Sequence, residues 1–219
     1  MCIRDTAKSF IFLIMLLHIL WVIGITAEGV TGALAAGRMR MDLFGVSTIA
    51  CMTAIGGGTL RDVILGHYPL VWVASPQYLL VIVGAALITV LLADFLMKHF
   101  RVVFLVADAI GLSAFSIIGA RVAMEMGHGV IIAIVGAVLT GAFGGVLRDL
   151  MCDRVPLVFQ KELYASIAVV AATLYYVLDM VGLHENINII CAVLSALFIR
   201  LAALWRGWSL PVFDYQGRD

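Results

Sequence analysis

The chain is short of charge. Only 13% of its 219 residues are Asp, Glu, Lys or Arg, and the acidic and basic counts, 14 each, cancel. About a quarter of a soluble domain is charged, so a soluble globule is excluded. A nucleic-acid partner needs a basic face, and the zero balance argues against one. The four cysteines, Cys2, Cys51, Cys152 and Cys191, are scattered and form no CxxC pair. No disulfide and no metal site is expected. HExxH, GxSxG and phosphate-binding loops are all missing. No catalytic residue and no cofactor is therefore expected, and the chain reads as something other than an enzyme. No polar stretch is long enough to separate domains, so residues 1–219 read as one transmembrane domain.

What is present is apolar. Hydrophobic residues make up 63% of the chain and mean hydropathy is +1.11. A spanning helix needs about 20 mostly apolar residues, and seven runs qualify: 10–36, 43–65, 78–97, 103–124, 130–151, 163–181 and 187–204. The first follows Arg4 and Lys8, as a signal peptide would. It passes without a small-x-small cleavage site into "GVTGALAAG", so an uncleaved span is the expectation. The predicted fold is an all-α integral membrane bundle of seven helices with short connections. Trp72, Trp205 and Trp208 suit headgroup depth.

Seven spans put the termini on opposite sides. The side after spans one, three and five, with the C-terminus, carries Arg38, Arg40, Lys98, Arg101, Arg148, Arg154, Lys161, Arg200, Arg206 and Arg218. Those are ten of the fourteen basic residues. Positive charge is retained in the cytoplasm. An N-terminus outside and a C-terminus inside a bacterial inner membrane follow.

The sequence repeats at an offset of 87. "GGTLRDVILGHYPLV" from Gly57 shares eight of fifteen positions with "GGVLRDLMCDRVPLV" from Gly144. Upstream, Ala27, Gly32, Ala33 and Ala36 match Ala114, Gly119, Ala120 and Ala123 at the same offset. Spans one to three (about 17–97) therefore repeat as spans four to six (about 103–181), and helix seven (about 187–204) stands alone. Three is odd, so the halves cross the membrane in opposite senses. Such inverted repeats place a permeation or substrate site near their interface, on interrupted helices.

The glycines Gly56, Gly57 and Gly58, and Gly144 and Gly145, are candidates for that interruption. Adjacent glycines permit a kink or a short unwound stretch, whose freed backbone groups must face protein or water. Close helix packing is the competing account, and it is the preferred one for "GALAAG" at 32–37. Neighbours on a helix do not face one another, so Arg61 and Asp62, and Arg148 and Asp149, need other partners. Symmetry suggests Arg61 with Asp149 and Arg148 with Asp62. Buried charges mark solute pathways, although these pairs could instead pin each helix end at the interface. Glu28, Asp108 and Arg121 are further intramembrane charges. Carboxylates along an aqueous path favour cations. Thr53, Thr140 and Ser116 are possible oxygen ligands, or bond back to their own helices. Pro69 and Pro156 are expected to end spans two and five.

"AEGVTGALAAGRMRMDLFGVSTIACMTAIGGGTLRDVILG", "DAIGLSAFSIIGA" and "TGAFGGVLRDLMCDRVPLVF" resemble the prokaryotic TRIC family of trimeric intracellular cation channels. Its bacterial members also carry a "glycine transporter" domain name. The resemblance covers about 24–204. It implies two inverted three-helix repeats plus a seventh helix, with kinked helices 2 and 5 shaping a pore in each protomer. It implies a homotrimer in membrane lipid, passing monovalent cations, chiefly potassium, with no cofactor beyond bound K+ or Na+. Gly56–Gly58 and Gly144–Gly145 match the two kinks, and Arg61, Asp62, Arg148 and Asp149 the charged pairs. Phe143 replaces the first glycine of the second triplet, which predicts a stiffer second kink. The animal members' basic lipid-binding segment has no counterpart in "GHYPLVWVASPQ". The alternative reading is a secondary carrier of glycine or a similar zwitterion. A purely structural protein is opposed only by the charged, broken helices.

Overall fold

In the computed structural model, residues 3–160 and 163–208 are described, and they are helical nearly throughout. Lys161 and Arg218, counted in the charge asymmetry, and Cys2 lie outside the described residues, as do the side chains of Arg4 and Lys8. The helices are α1 (Ile3–Arg38), α2 (Leu43–Leu65), α3 (Val71–Ala74), α4 (Gln77–Leu91), α5 (Ala93–Lys98), α6 (Phe100–Glu125), α7 (Val130–Met151), α8 (Ala165–Met180) and α9 (Glu185–Arg206). Five of them, α1, α2, α6, α7 and α9, are long and apolar enough to cross a membrane. The shorter apolar helices α4 and α8 occupy the third and sixth expected spans. The third differs from the expected continuous run 78–97. It breaks at Leu92 (φ −93°, ψ 11°), where α4 gives way to the short α5.

Small residues set the packing. α1 lies on α2 and α4, and α6 lies on α7 and α8 in the same way. A methyl group built on Gly32 would sit 2.7 Å from the Ala50 Cα, so α1 and α2 touch backbone to backbone there. The equivalent glycine, Gly119, meets the Gly136 carbonyl and Thr140 of α7. Close approach of this kind is how membrane helices associate, because lipid tails supply no hydrophobic drive between them. Large apolar side chains face outward instead, among them Phe44, Leu80, Leu91, Ile131 and Phe198.

The halves then meet through α1 with α6 and α2 with α7. These contacts are reciprocal. Gly24 packs on Phe115 and Gly111 on Glu28; Gly57 packs on Thr140 and Gly144 on Thr53. Each pair becomes the other when both members are shifted by 87 in opposite directions. The Ser9 Oγ lies 2.8 Å from the His184 Nε2, joining the start of α1 to the start of α9.

Two expectations are corrected. α2 and α7 run unbroken through their glycines, so there is no unwound stretch. The neighbouring helix supplies the packing that holds the ladder together there. The prolines do not end the helices. α2 stops at Gly66, which takes the left-handed conformation (φ 71°) that glycine adopts without strain. Pro69 follows three residues later. α7 ends at Cys152, and Pro156 opens a 3-10 turn at Leu157–Phe159.

Candidate functional site: two buried arginine clusters

α2 and α7 carry the two copies of the motif, and each buries its arginine completely. The first cluster is small. Arg61 donates from Nε and Nη2 to the Asp62 Oδ1 at 2.9 and 2.6 Å. Its Nη1 reaches across to the Thr140 hydroxyl of α7 at 3.3 Å. The His67 Nδ1 lies 3.0 Å from the same Asp62 oxygen. Aromatic rings close the surroundings. Trp21 packs on Phe115 and Tyr78, with ring centroids 5.3 and 5.9 Å apart.

The second cluster is acidic. Arg148 donates from Nε to the Asp149 Oδ1 at 2.8 Å. Its Nη1 bonds the Asp108 Oδ1 at 2.8 Å and Thr31 at 3.1 Å, and lies 3.8 Å from the Glu28 Oε2. Tyr164 donates to the same Asp108 oxygen at 3.1 Å, and the guanidinium sits 4.6 Å over the Phe104 ring. One guanidinium thus faces three carboxylates. Glu28 Oε1, Asp108 Oδ2 and Arg148 Nη2 are buried with no hydrogen-bond partner among the described residues. Asp149 also accepts the Leu157 N–H at 3.0 Å, tying α7 to the turn that follows it.

The repeat explains why the clusters differ. Shifted by 87, Asp108 corresponds to Trp21, and Glu28 to Phe115. Acids around the second cluster stand where aromatics stand around the first. The backbone is pseudo-symmetric, but the electrostatics are not.

The expected cross-repeat pairs, Arg61 with Asp149 and Arg148 with Asp62, do not form. Each arginine pairs with its own sequence neighbour, because its long side chain curls back to the next carboxylate. What crosses between the halves is Arg61 to Thr140, and Arg148 to Thr31 and Glu28. Arg121 joins neither cluster; it pairs with Glu125 and Glu185 at 2.7 Å, linking α6 to α9. The hydroxyls of Thr53, Ser116 and Thr140 each donate to the carbonyl four residues back. Thr140 alone of the three also accepts from an arginine.

The glycines divide by position. Gly57 and Gly144 form the α2–α7 crossing, where added methyl groups would meet the Thr140 and Thr53 carbonyl oxygens. Gly58 and Gly145 face their own arginines, and a methyl group on Gly58 would lie 3.9 Å from the Arg61 Nη2. Gly56 lies on the outer side. With Phe143, its equivalent, it lines an apolar groove of about 680 Å³.

Sequence reasoning missed Thr31, Tyr164, Phe104 and Trp21. Arg200, counted with the loop-side charges, is fully buried in α9; its Nη1 donates to the Leu163 carbonyl at 2.7 Å and it lies 4.9 Å over the Tyr164 ring. Its place inside an apolar run was the available signal.

A family model described as "Glycine transporter" matches the chain twice, over 18–94 and 105–180. A relative from Escherichia coli (strain K12), "UPF0126 inner membrane protein YadS", is 35% identical over 210 residues, covering 93% of this chain and 100% of its own. The solved TRIC channel orthologue from Rhodobacter sphaeroides is 36% identical, with a TM-score of 0.83, over 87% of this chain and 98% of that one. A second solved TRIC cation channel is 32% identical with a TM-score of 0.84, over 91% and 98%. The duplicated match, the identity across almost the full length and the shared fold agree: the chain is a membrane protein of the glycine-transporter-domain family, the prokaryotic TRIC family.

Proposed function

We propose that the chain forms a homotrimeric channel of the bacterial inner membrane, passing potassium and other monovalent cations through one pore in each protomer. The reading is supported most by the second cluster, where three carboxylates surround one arginine inside a single protomer. Its solved relatives are described as cation channels. The pathway runs past Arg61–Asp62 at one end and Arg148–Asp108–Glu28 at the other. Both arginines are fully buried, so conduction requires them to move. The α2–α7 crossing at Gly57 and Gly144 is the element that gates. The N-terminus lies outside and the C-terminus in the cytoplasm, in line with the positive charge.

The family description also names a glycine transporter, and a carrier is the competing function. Purified protein in liposomes separates the two. Thallium entry down its gradient, without glycine and at a rate independent of glycine, is expected. Saturable glycine uptake driven by an ion gradient, with no thallium entry, would overturn the channel reading.

A further inference from the structure

The left-handed turn at Gly66 folds His67 back onto the end of α2. The His67 N–H donates to the Asp62 carbonyl at 2.8 Å. Its ring Nδ1 lies 3.0 Å from the Asp62 Oδ1, which already accepts two bonds from Arg61. A carboxylate oxygen only accepts, so Nδ1 carries the hydrogen and donates. Arg61 and Asp62 are buried, whereas the His67 ring is 39% exposed. His67 therefore joins the buried pair to water at this end of the bundle.

The second copy repeats the backbone but not the ring. Shifted by 87, Gly66 and His67 become Asp153 and Arg154. Asp153 is also left-handed (φ 50°), and the Arg154 N–H donates to the Asp149 carbonyl at 2.9 Å. The Asp149 carboxylate takes the Leu157 N–H, and among the described residues no ion pair joins it to Arg154. Arginine stays charged throughout, while histidine changes charge between about pH 8 and pH 5. The first copy thus couples its aspartate to a side chain that titrates, and the second does not.

We propose that His67 is a proton sensor that locks the Arg61–Asp62 pair when the water at this end turns acidic. The proposal rests on the reading that cations pass this pair. The neutral ring donates one hydrogen bond to Asp62. The protonated ring is a second cation on the same oxygen, and a bond between two charged groups is stronger. Asp62 is then held more firmly to the end of α2, and a positive charge stands at the mouth of the pathway. Both oppose cation entry. The other polar groups around the pair are engaged elsewhere. Thr140 of α7 accepts from Arg61, and Trp72 of α3 donates to Thr59. His18 of α1 bonds Tyr78 of α4, and Arg121 of α6 is held by Glu125 and Glu185.

The test is potassium current through the purified full-length protein in planar bilayers, with each chamber in turn taken from about pH 8 to about pH 5.5. Acid on one side is expected to lower the parental open probability about tenfold, the effect of strengthening one hydrogen bond. His67→Asn keeps a neutral donor near the place of Nδ1 and takes up no proton, so its open probability should not change with pH. Should it fail to fold, His67→Ala takes its place with the same expectation. His18→Gln should respond to acid as the parent does. A parental acid response in the His67 variant, or its loss in His18→Gln, overturns the proposal. Nitrogen NMR of histidine-labelled protein, with the His67 signals assigned by the same variant, reads the ring without any current. Nδ1 should carry a proton at the higher pH and both ring nitrogens at the lower. A ring still neutral at the lower pH overturns the sensor itself. A titrating ring with no current from any form contradicts the channel reading, and the proposal falls with it.

Discussion

Replacing Arg148 with methionine is expected to destabilise the protein by about 3–5 kcal/mol, the cost of stranding buried charge. Among the described residues, the guanidinium is the one cation paired with Asp108, Asp149 and Glu28 in the second cluster. Methionine fills much of the volume and leaves the carboxylates unpaired. Arg61→Met is expected to do less damage. It strands only Asp62, which keeps His67 at 3.0 Å. Adding Asp108→Asn to Arg148→Met should recover part of the loss, because it removes one stranded charge. Thermal unfolding in detergent, followed by monodispersity on a sizing column, reads all three variants. Equal losses at Arg61 and Arg148, or no recovery with Asp108→Asn, would mean that the acidic surroundings of Arg148 carry no electrostatic weight.

The second large effect lies at the α2–α7 crossing. Gly57→Ala and Gly144→Ala are each expected to cost about 1–3 kcal/mol, the usual range for overpacking. A methyl group on Gly57 would lie 2.5 Å from the Thr140 carbonyl oxygen and 2.6 Å from that of Leu139. Those are backbone atoms, so relief requires the helices to part. Gly58→Ala has room, at 3.9 Å from the nearest side-chain atom. Its helix propensity gain offsets small strains, and its stability should stay within about 1 kcal/mol of the parent. Gly57 and Gly58 are adjacent, so the contrast isolates the crossing from the general effect of glycine in a helix. Identical behaviour of the two alanines would remove the crossing as the reason for the motif.

Much of the fold could be read from the residues. The apolar runs located six of the spans closely, since hydropathy and length constrain a membrane helix tightly. The offset of 87 revealed the two halves, and their reciprocal contacts at Gly24–Phe115 and Gly111–Glu28 follow the same offset. The break at Leu92 was not legible, because no glycine or proline marks it and Asp94, in the first turn of α5, reads as an ordinary charge near a span end. Helix ends were misread where proline drew attention from Gly66, the residue that turns the chain.

The site was legible in membership but not in pairing. Arg61, Asp62, Arg148, Asp149, Glu28 and Asp108 stood out as charges in apolar runs. The rule that adjacent helical residues point apart holds for their Cβ atoms. It fails for a side chain as long as arginine, which returned to its neighbour twice. Tyr164 and Thr31 carry no charge, and nothing in their local sequence sets them apart. Their roles come from the meeting of α1, α6, α7 and the segment before α8, a tertiary fact. Arg121 stood out equally and proved to be a partly exposed link to α9.

The most direct test of the account is single-channel recording of the purified full-length protein in planar bilayers with potassium chloride and no glycine. The account predicts unitary currents whose reversal potential follows the potassium gradient. Neutralising the acidic cluster with Glu28→Gln should shift that potential toward the chloride value. A silent bilayer, from protein shown in the same preparation to accumulate glycine against an ion gradient, would contradict it.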